Sequence, residues 1–437
     1  MIFSKANLGT FSTSVAIQAC GAATGITSAR LLGPAARGEL ATVILWPVIL
    51  SNLGLLGCNW ALAREVAHDP QGERDWIVAG TTVALFVAPV FVLVGYFLLP
   101  LLLPVDRGHL LPLARLCLLL IPLDVCNQVL LSVEQGRMRW RRYNFLRLSF
   151  FLFYLLLIVL LALGKRAQVR WFVAAFLASH ALALAIRFWI HRKSLAAGNL
   201  EIAGCRHLLR AGAPYFGATV SNLVSLQLDT VLVVSLLNAE AAGLYVVAAA
   251  MANGQSALCE ALGITSFAVV SHEKDPGSQE KIISATFRQS ALASCGAGLA
   301  LCAAIPVLAV PLFGAAFARA VWPAVVLAAA AAVLGAANIL NQGLRGTGRP
   351  HEGVLSQALG IAALVCGALL LLRRFGLMGM AGTVFLSSCV QLVALIIAAA
   401  RWLRISPLEF WPFGAATLEH FFRQLTSLRL RDLRSPA

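Results

Sequence analysis

Twelve apolar segments, most of them long enough to cross a lipid bilayer as a helix, follow one another along this chain. A transmembrane helix needs about 20 mainly apolar residues. The segments occupy residues 7–29, 40–63, 76–103, 110–133, 145–163, 169–190, 208–237, 242–270, 285–312, 321–344, 353–372 and 379–403. Charged residues make up 12% of the sequence, which is about half their share in a soluble domain. The pattern predicts an all-α polytopic membrane protein with short loops.

Lysine and arginine concentrate at alternate ends of these segments. The strongest clusters lie in residues 137–142, after the fourth segment, and in residues 187–193, at the end of the sixth. Because cytoplasmic loops of membrane proteins are enriched in Lys and Arg, this bias predicts that both termini are cytoplasmic. The net charge of +15 then serves to orient helices and to contact anionic lipid headgroups. Nucleic acid is not an expected partner.

A short motif occurs twice, about 205 residues apart, and each copy joins the first two segments of one half of the chain. In the first copy we predict a turn at Gly33-Pro34 and the start of the second helix at about Glu39. The matching residues are Leu31, Leu32, Ala36 and Gly38 in the first copy, and Leu236, Leu237, Ala241 and Gly243 in the second. Paired halves of this kind are typical of transporters. We therefore predict two parallel six-helix lobes, residues 1–200 and 201–403, followed by an amphipathic or disordered cytoplasmic tail, residues 404–437.

Polar side chains inside the apolar segments fall on single helical faces. Those faces are Ser14, Gln18, Gly21, Gly25 and Ser28; Ser221, Asn222, Ser225 and Asp229; Asn253, Ser256 and Glu260; and Asp124, Asn127 and Gln128. Polar groups are costly in a bilayer, so such faces either pack helices together or line an aqueous cavity. The carboxylates either form buried pairs or face that cavity. For His180 we favour a satisfied interior histidine, with a proton relay as the alternative.

Several classes of function are disfavoured by what the sequence lacks. It contains no Walker A motif, so this chain is not expected to hydrolyse ATP. It also contains no G-x-S-x-G or HExxH motif, and its cysteines have no metal-ligand spacing. A membrane-embedded acyl- or glycosyl-transferase would need a catalytic His or a DxD motif in a loop, and neither is found. We predict a protein that is not an enzyme and needs no metal or cofactor.

Three stretches resemble the Wzx-type polysaccharide-repeat flippases of the multidrug/oligosaccharidyl-lipid/polysaccharide (MOP) exporter superfamily. They are Arg-Leu-Leu-Gly-Pro-Ala-Ala-Arg-Gly-Glu-Leu-Ala from residue 30, Leu-Asp-Thr-Val-Leu-Val-Val-Ser-Leu-Leu-Asn-Ala-Glu-Ala-Ala-Gly-Leu-Tyr from residue 228, and Arg-Gly-Thr-Gly-Arg-Pro from residue 345. The resemblance implies a MATE-like fold around a central cavity. It also implies translocation of an undecaprenyl-diphosphate-linked oligosaccharide across the bacterial inner membrane, by alternating access, for surface polysaccharide synthesis. Membrane lipids, a polysaccharide polymerase and chain-length proteins are the implied partners.

The resemblance and the polar faces together give a set of candidate site residues. Arg64 and Arg30 are predicted to bind the diphosphate, because the guanidinium fork suits phosphate oxygens. Hydrogen bonds to sugar hydroxyls are assigned to Gln18, Asn222 and Asn253. A coupling proton or sodium ion is assigned to one of three acids, Asp229, Asp124 or Glu260, with a structural role for Asp229 left open.

Two other transport functions on the same fold remain alternatives. A MATE-type cation-coupled exporter of small molecules would favour an acidic cavity. A lipid II flippase of peptidoglycan synthesis would usually carry further helices at its C-terminus.

Overall fold

The computed structural model describes residues 5–256, 276–346 and 350–403, together with Cys259, Leu262, Ser266, Ser406 and Phe410. The described residues are almost all helical and include no strand. Apart from Ser406 and Phe410, the predicted tail of residues 404–437 lies outside them.

Thirteen α-helices make up the described part of the chain. They are α1 Lys5–Gly54, α2 Cys58–His68, α3 Glu73–Leu102, α4 Leu111–Cys117, α5 Leu120–Gly136, α6 Trp140–Leu163, α7 Val169–Ala197, α8 Ile202–Leu236, α9 Ala239–Ala252, α10 Pro276–Phe313, α11 Val321–Gly346, α12 Pro350–Gly367 and α13 Arg373–Leu403. Short 3₁₀ turns occupy Val105–Leu110, Asn253–Gln255 and Ala315–Ala320, and a π-helical turn occupies Ala368–Leu372.

The polytopic membrane fold is confirmed. Eight helical stretches of the described chain are long and apolar enough to cross a membrane, and the bent pair Val105–Cys117 and Leu120–Gly136 makes a ninth. Two of the eight exceed a single span: Gly9–His68 turns at Gly33, and Glu352–Trp402 turns at Gly376. Dividing these two stretches, and adding α9 for the partly described eighth segment, accounts for the twelve predicted segments.

The turn predicted at Gly33-Pro34 forms, and its cause is local. Gly33 has φ +72°, a conformation that side chains disfavour and that glycine adopts readily. Pro34 then begins the next helical stretch, where its missing N–H has no partner to lose. The second helix therefore resumes directly at Pro34, earlier than the predicted start at Glu39.

The element order repeats along the chain as the sequence motif predicts. The 3₁₀ turn Val105–Leu110 precedes α4, and the 3₁₀ turn Ala315–Ala320 precedes α11; their first residues, 105 and 315, are 210 residues apart. The first residues of α6 and α12, 140 and 350, have the same separation. A duplicated six-helix element order explains both spacings.

The chain divides into two compact units at a different place from the predicted boundary near residue 200. The first unit contains the described residues up to Val247, together with Val310–Ala320, and the second contains the others. Helix α8 belongs to the first unit because it packs on α2 and α3. The Cys58 thiol lies 3.9 Å from the carbonyl oxygen of Leu208, and the Cys205 thiol lies 3.7 Å from that of Ala79.

The second unit has its own apolar core. Ile283, Phe287, Leu340 and Leu395 are buried together with Phe410. The rings of Phe287 and Phe410 are 5.7 Å apart and meet at 69°.

The two copies of the sequence motif contact each other inside the first unit. A side-chain carbon built on Gly38 would overlap the carbonyl oxygen of Ala239, and one built on Gly243 would overlap that of Pro34. Pro34 and Ala239 are separated by 205 residues, as are Gly38 and Gly243. Equivalent residues of the two copies therefore make equivalent contacts, and both glycines are required for the close approach.

A buried arginine in the 3₁₀ turn before α4 forms hydrogen bonds with the same region. Arg107, which is 1% exposed, donates hydrogen bonds to Thr42 Oγ1 at 2.7 Å and to the carbonyl of Val234 at 3.1 Å. It also donates to the carbonyl of Leu237. This side chain therefore joins the 3₁₀ turn before α4 to α1 and to the end of α8.

Candidate functional site

A cavity of about 420 Å³ with a mixed polar and apolar lining lies within the first unit, among α1, α5, α6 and α7. Its lining consists of Val48 and Asn52 on α1; Leu120, Asp124, Asn127, Gln128 and Leu131 on α5; Tyr143, Arg147, Phe150 and Phe151 on α6; and Phe176, His180 and Arg187 on α7. Pockets of about 300–1,000 Å³ with aromatic walls and a few convergent polar groups are typical small-molecule sites.

Helical spacing brings these side chains to the cavity. On α6, Tyr143, Arg147 and Phe150 follow one another at steps of four and three residues, which places them on one face. On α7, His180 and Arg187 are seven residues apart, or about two turns. Each helix thus turns one mixed polar and aromatic face toward the cavity.

Asp124 and His180 form one side of the cavity wall. Ser51 donates a hydrogen bond to Asp124 Oδ2 at 2.7 Å. His180 Nε2 lies 3.9 Å from Asp124 Oδ1, and His180 Nδ1 lies 3.0 Å from the carbonyl oxygen of Phe176. The His180 ring also packs against Phe150, with 4.1 Å between ring centroids.

Two arginines supply positive charge to the same cavity. Arg187 is buried and donates to Asn127 Oδ1 at 2.5 Å and to the carbonyl of Leu146 at 2.7 Å. Arg147 is half-buried and donates to Ser14 Oγ on α1 at 3.1 Å. These bonds hold both guanidinium groups in place, so the wall offers a preorganised environment for an anion.

Aromatic rings cover the apolar part of the wall. Phe150 stacks on Tyr154 at 6.0 Å with 10° between the ring planes, and it meets Phe176 edge-on at 5.7 Å. Aromatic faces pack against the C–H surfaces of sugar rings, while amides and guanidinium groups bond to hydroxyls and phosphates. The cavity combines these three kinds of group.

Asp124 is the predicted site residue that lines this cavity. Arg64 is exposed on α2, and Asn222 is exposed on α8. Gln18 is partly buried on α1 and does not belong to the lining. Asn253 is exposed in a 3₁₀ turn of the second unit.

The remaining predicted residues have other surroundings. Arg30 is exposed, and its guanidinium donates to the carbonyls of Pro311 and, at 2.7 Å, of Leu312. Glu260 lies outside the described residues.

Asp229 occupies a hydrogen-bonded position between α8 and α9. It accepts hydrogen bonds from the Tyr245 hydroxyl at 2.6 Å and from the backbone N–H of Thr230 at 2.6 Å. The Thr230 hydroxyl lies 3.2 Å from the same carboxylate. With Tyr245 fully buried, this arrangement is that of a carboxylate that clamps two helices together.

Sequence reasoning missed Arg147 and Arg187 as members of a site. Arg187 was counted in the basic cluster at the end of the sixth segment, and Arg147 lies near the start of the fifth, although each lies on a helix face with other polar or aromatic residues. The spacing of Tyr143, Arg147 and Phe150, which puts them on one helix face, is the sequence feature that could have indicated the site. His180 is satisfied at Nδ1, as an interior histidine should be, but its Nε2 faces a carboxylate.

A second charged cluster lies where α3, α5 and α7 come together, away from the cavity lining. Glu73, which is 2% exposed, forms an ion pair with Arg137. Glu134 is fully buried, 3.5 Å from His191 Nε2. Burial lowers the pKa of Arg137, and the neighbouring positive charges of Arg139 and Arg142 lower it further. The cluster ties these helices together.

Comparison with known proteins places the chain in a family. The model of a family described as polysaccharide biosynthesis protein matches residues 8–257. No curated protein matches the sequence.

Three solved structures show the same fold. The lipid II flippase MurJ, in an inward closed conformation, has a TM-score of 0.75 and 11% identity over 95% of this chain and 92% of its own. An inward-facing multidrug resistance MATE family transporter has a TM-score of 0.72 and 16% identity over 91% of this chain and 96% of its own.

The third structure is a MOP superfamily transporter from Pyrococcus furiosus, described by the reverse polarity of its binding pocket. It has a TM-score of 0.61 and 16% identity over 91% of this chain and 93% of its own. The predicted resemblance is thus confirmed at the level of the family by the family model, and the predicted fold is confirmed by the solved structures. This chain belongs to the polysaccharide biosynthesis protein family, and its fold is that of the MOP superfamily transporters.

Proposed function

We propose that this protein translocates an undecaprenyl-diphosphate-linked oligosaccharide across the bacterial inner membrane for the synthesis of a surface polysaccharide. The observation that carries the proposal is the cavity in the first unit, where two arginines, several amides and aromatic rings meet among apolar helices. Both termini would be cytoplasmic, as the distribution of Lys and Arg favours. Transport would proceed by alternating access and without covalent chemistry.

The cavity offers a chemical role for each part of the headgroup. Arg147 and Arg187 would contact the diphosphate, since one guanidinium group can donate two parallel hydrogen bonds to phosphate oxygens. The amides of Asn52 and Gln128 would bond to sugar hydroxyls, and Phe151 would pack against a sugar face. A cavity of about 420 Å³ suits part of this headgroup, while the polyprenyl chain would remain in the bilayer.

Arg64 and Arg30 remain proposed contacts of the diphosphate outside this cavity. Arg64 is exposed on α2, where a headgroup arriving from one membrane surface would meet it. Surrounding membrane lipids are implied for any polytopic protein. A polysaccharide polymerase and chain-length proteins are further proposed partners.

The charge of the cavity favours an anionic substrate over a cationic drug. Among the described residues of its lining, two arginines stand against the single carboxylate of Asp124. A MATE-type exporter of cations would need the opposite balance. Lipid II is also a lipid-linked anion, so it remains the second candidate substrate. If this protein supports growth of a strain depleted of its lipid II flippase, lipid II is the substrate.

The substitution Arg147→Gln tests the role of the cavity in transport. It removes a charge-assisted contact worth about 1.5–3 kcal/mol, so we expect translocation to fall about tenfold or more. The measurement is the protection of lipid-linked oligosaccharide from an impermeant probe in inverted membrane vesicles.

Arg141→Gln is the matched control for this test. Arg141 lies on the same helix as Arg147, is exposed and does not line the cavity, so the control is expected to translocate at the wild-type rate. Equal rates for wild type and Arg147→Gln, at equal protein levels, would refute the placement of the diphosphate in this cavity.

A further inference from the structure

The hydrogen-bond geometry of His180 determines which of its ring nitrogens carries a hydrogen and how the other nitrogen meets Asp124. Its Nδ1 lies 3.0 Å from the carbonyl oxygen of Phe176, and a carbonyl oxygen can only accept, so Nδ1 carries a hydrogen. A neutral imidazole with its hydrogen at Nδ1 has a lone pair at Nε2. That nitrogen faces Asp124 Oδ1 at 3.9 Å, and a lone pair facing an ionised carboxylate is repelled. The pair attracts only when it holds one further proton, on the imidazole or on the carboxyl group.

The other contacts of the pair leave the gap between His180 Nε2 and Asp124 Oδ1 as the place for that proton. The Asp124 Oδ2 atom is occupied by the Ser51 hydroxyl of α1 at 2.7 Å. Rings of Phe150 and Phe176 pack on the imidazole at 4.1 and 4.7 Å. His180 itself is 8% exposed, and the exposed edge of the pair belongs to the cavity.

The remaining charges at this wall are positive. Helix α6 contributes Tyr143 and Arg147, and α7 contributes Arg187, whereas the cavity-lining residues of α1 include no titratable group. Adding a proton to the pair raises the positive charge of the wall by one. An anion in the cavity is attracted more strongly to the wall in that state.

We propose that Asp124 and His180 together bind one proton, and that this proton and the anionic headgroup strengthen each other's binding in the cavity. The inference rests on the proposed function, because it requires a negatively charged substrate. Linkage is reciprocal: headgroup binding would take up a proton, and acid would tighten headgroup binding.

The test is the affinity of the purified, detergent-solubilised chain for a short-chain prenyl diphosphate esterified to N-acetylglucosamine. A diphosphate diester has no titrating group between about pH 5.5 and about pH 8, the range in which a histidine changes charge. We expect the wild type to bind this probe about tenfold more tightly at the acid end, within the usual range of coupling between two sites.

Asp124→Asn is the main variant. The amide introduced by this substitution would donate to His180 Nε2, so the pair would be satisfied without an extra proton and the pH dependence would be lost. His180→Gln provides a second variant with the same expectation, so failure of one protein to fold does not end the test.

His191→Gln is the matched control, because His191 and Glu134 form another histidine–carboxylate pair between α7 and α5 outside the cavity lining. This variant should retain the wild-type pH dependence. If wild type binds the probe equally at both pH values, or if Asp124→Asn and His180→Gln keep the acid preference, the inference is wrong and the proposed function stands. If wild type does not bind the diphosphate probe at any pH, both are overturned.

Discussion

Replacing Gly243 with alanine is expected to destabilise the protein, although alanine is the better helix former. The added carbon would overlap the carbonyl oxygen of Pro34, so the backbone of α1 or α9 would have to move. Overpacking of this kind costs about 1–3 kcal/mol, which exceeds the gain of about 1 kcal/mol in helix propensity. Gly38→Ala should have a similar effect, since its added carbon would overlap the carbonyl oxygen of Ala239.

The measurement is the thermal unfolding midpoint in detergent, with Gly21→Ala as the control. Gly21 lies on α1, and no heavy atom outside the local helix is within 4 Å of its missing side chain. Gly21→Ala should therefore leave the thermal unfolding midpoint unchanged or raise it. Midpoints at or above the wild-type value for Gly38→Ala and Gly243→Ala would show that the two motif copies do not pack as described.

Replacing Arg107 with leucine is expected to cost still more stability. The substitution leaves the carbonyl oxygens of Val234 and Leu237, and the hydroxyl of Thr42, without the donor that they share. Hydrogen bonds from a charged group are worth about 1.5–3 kcal/mol each. Even with partial rearrangement, we expect the free energy of unfolding to fall by about 3–5 kcal/mol, as when one partner of a buried ion pair is removed.

Arg319→Leu is the matched control for Arg107→Leu. Arg319 lies in the 3₁₀ turn that corresponds to that of Arg107 in the second repeat, but its side chain is 82% exposed and 3.6 Å from Glu240. An exposed ion pair of this kind contributes about 0–1 kcal/mol. Denaturant titration of both variants in the same detergent compares them, and equal losses would contradict the fastening role of Arg107.

The features that the sequence predicted well are those that depend on neighbouring residues alone. The length of an apolar segment decides whether it can span a membrane, and the turn at Gly33-Pro34 follows from the conformations of those two residues. The repeated motif could be found because both copies keep the same spacing. Contact between Gly38 and Gly243 was not predictable, since similarity between two motifs does not place them side by side.

The composition of the cavity could not be predicted because it depends on which helix faces meet. The spacing of Asp124, Asn127 and Gln128 placed them on one face of α5, but no pattern within α5 specifies His180 on α7 as a neighbour. Asn222 shares a predicted polar face with Asp229, yet it is exposed on α8. Such a face has an arc wide enough to hold both a helix contact and an exposed position.

The most direct test of the proposed function is the pool of lipid-linked sugars in a strain that lacks this gene. We predict that an undecaprenyl-diphosphate-linked oligosaccharide accumulates on the cytoplasmic leaflet and that a surface polysaccharide is lost. Expression of the wild-type protein in that strain should return the lipid pool to its normal level and restore the surface polysaccharide. Expression of Arg147→Gln should achieve neither fully. An unchanged lipid pool with normal surface polysaccharide would contradict the flippase function, and small-molecule efflux would then be the function to measure.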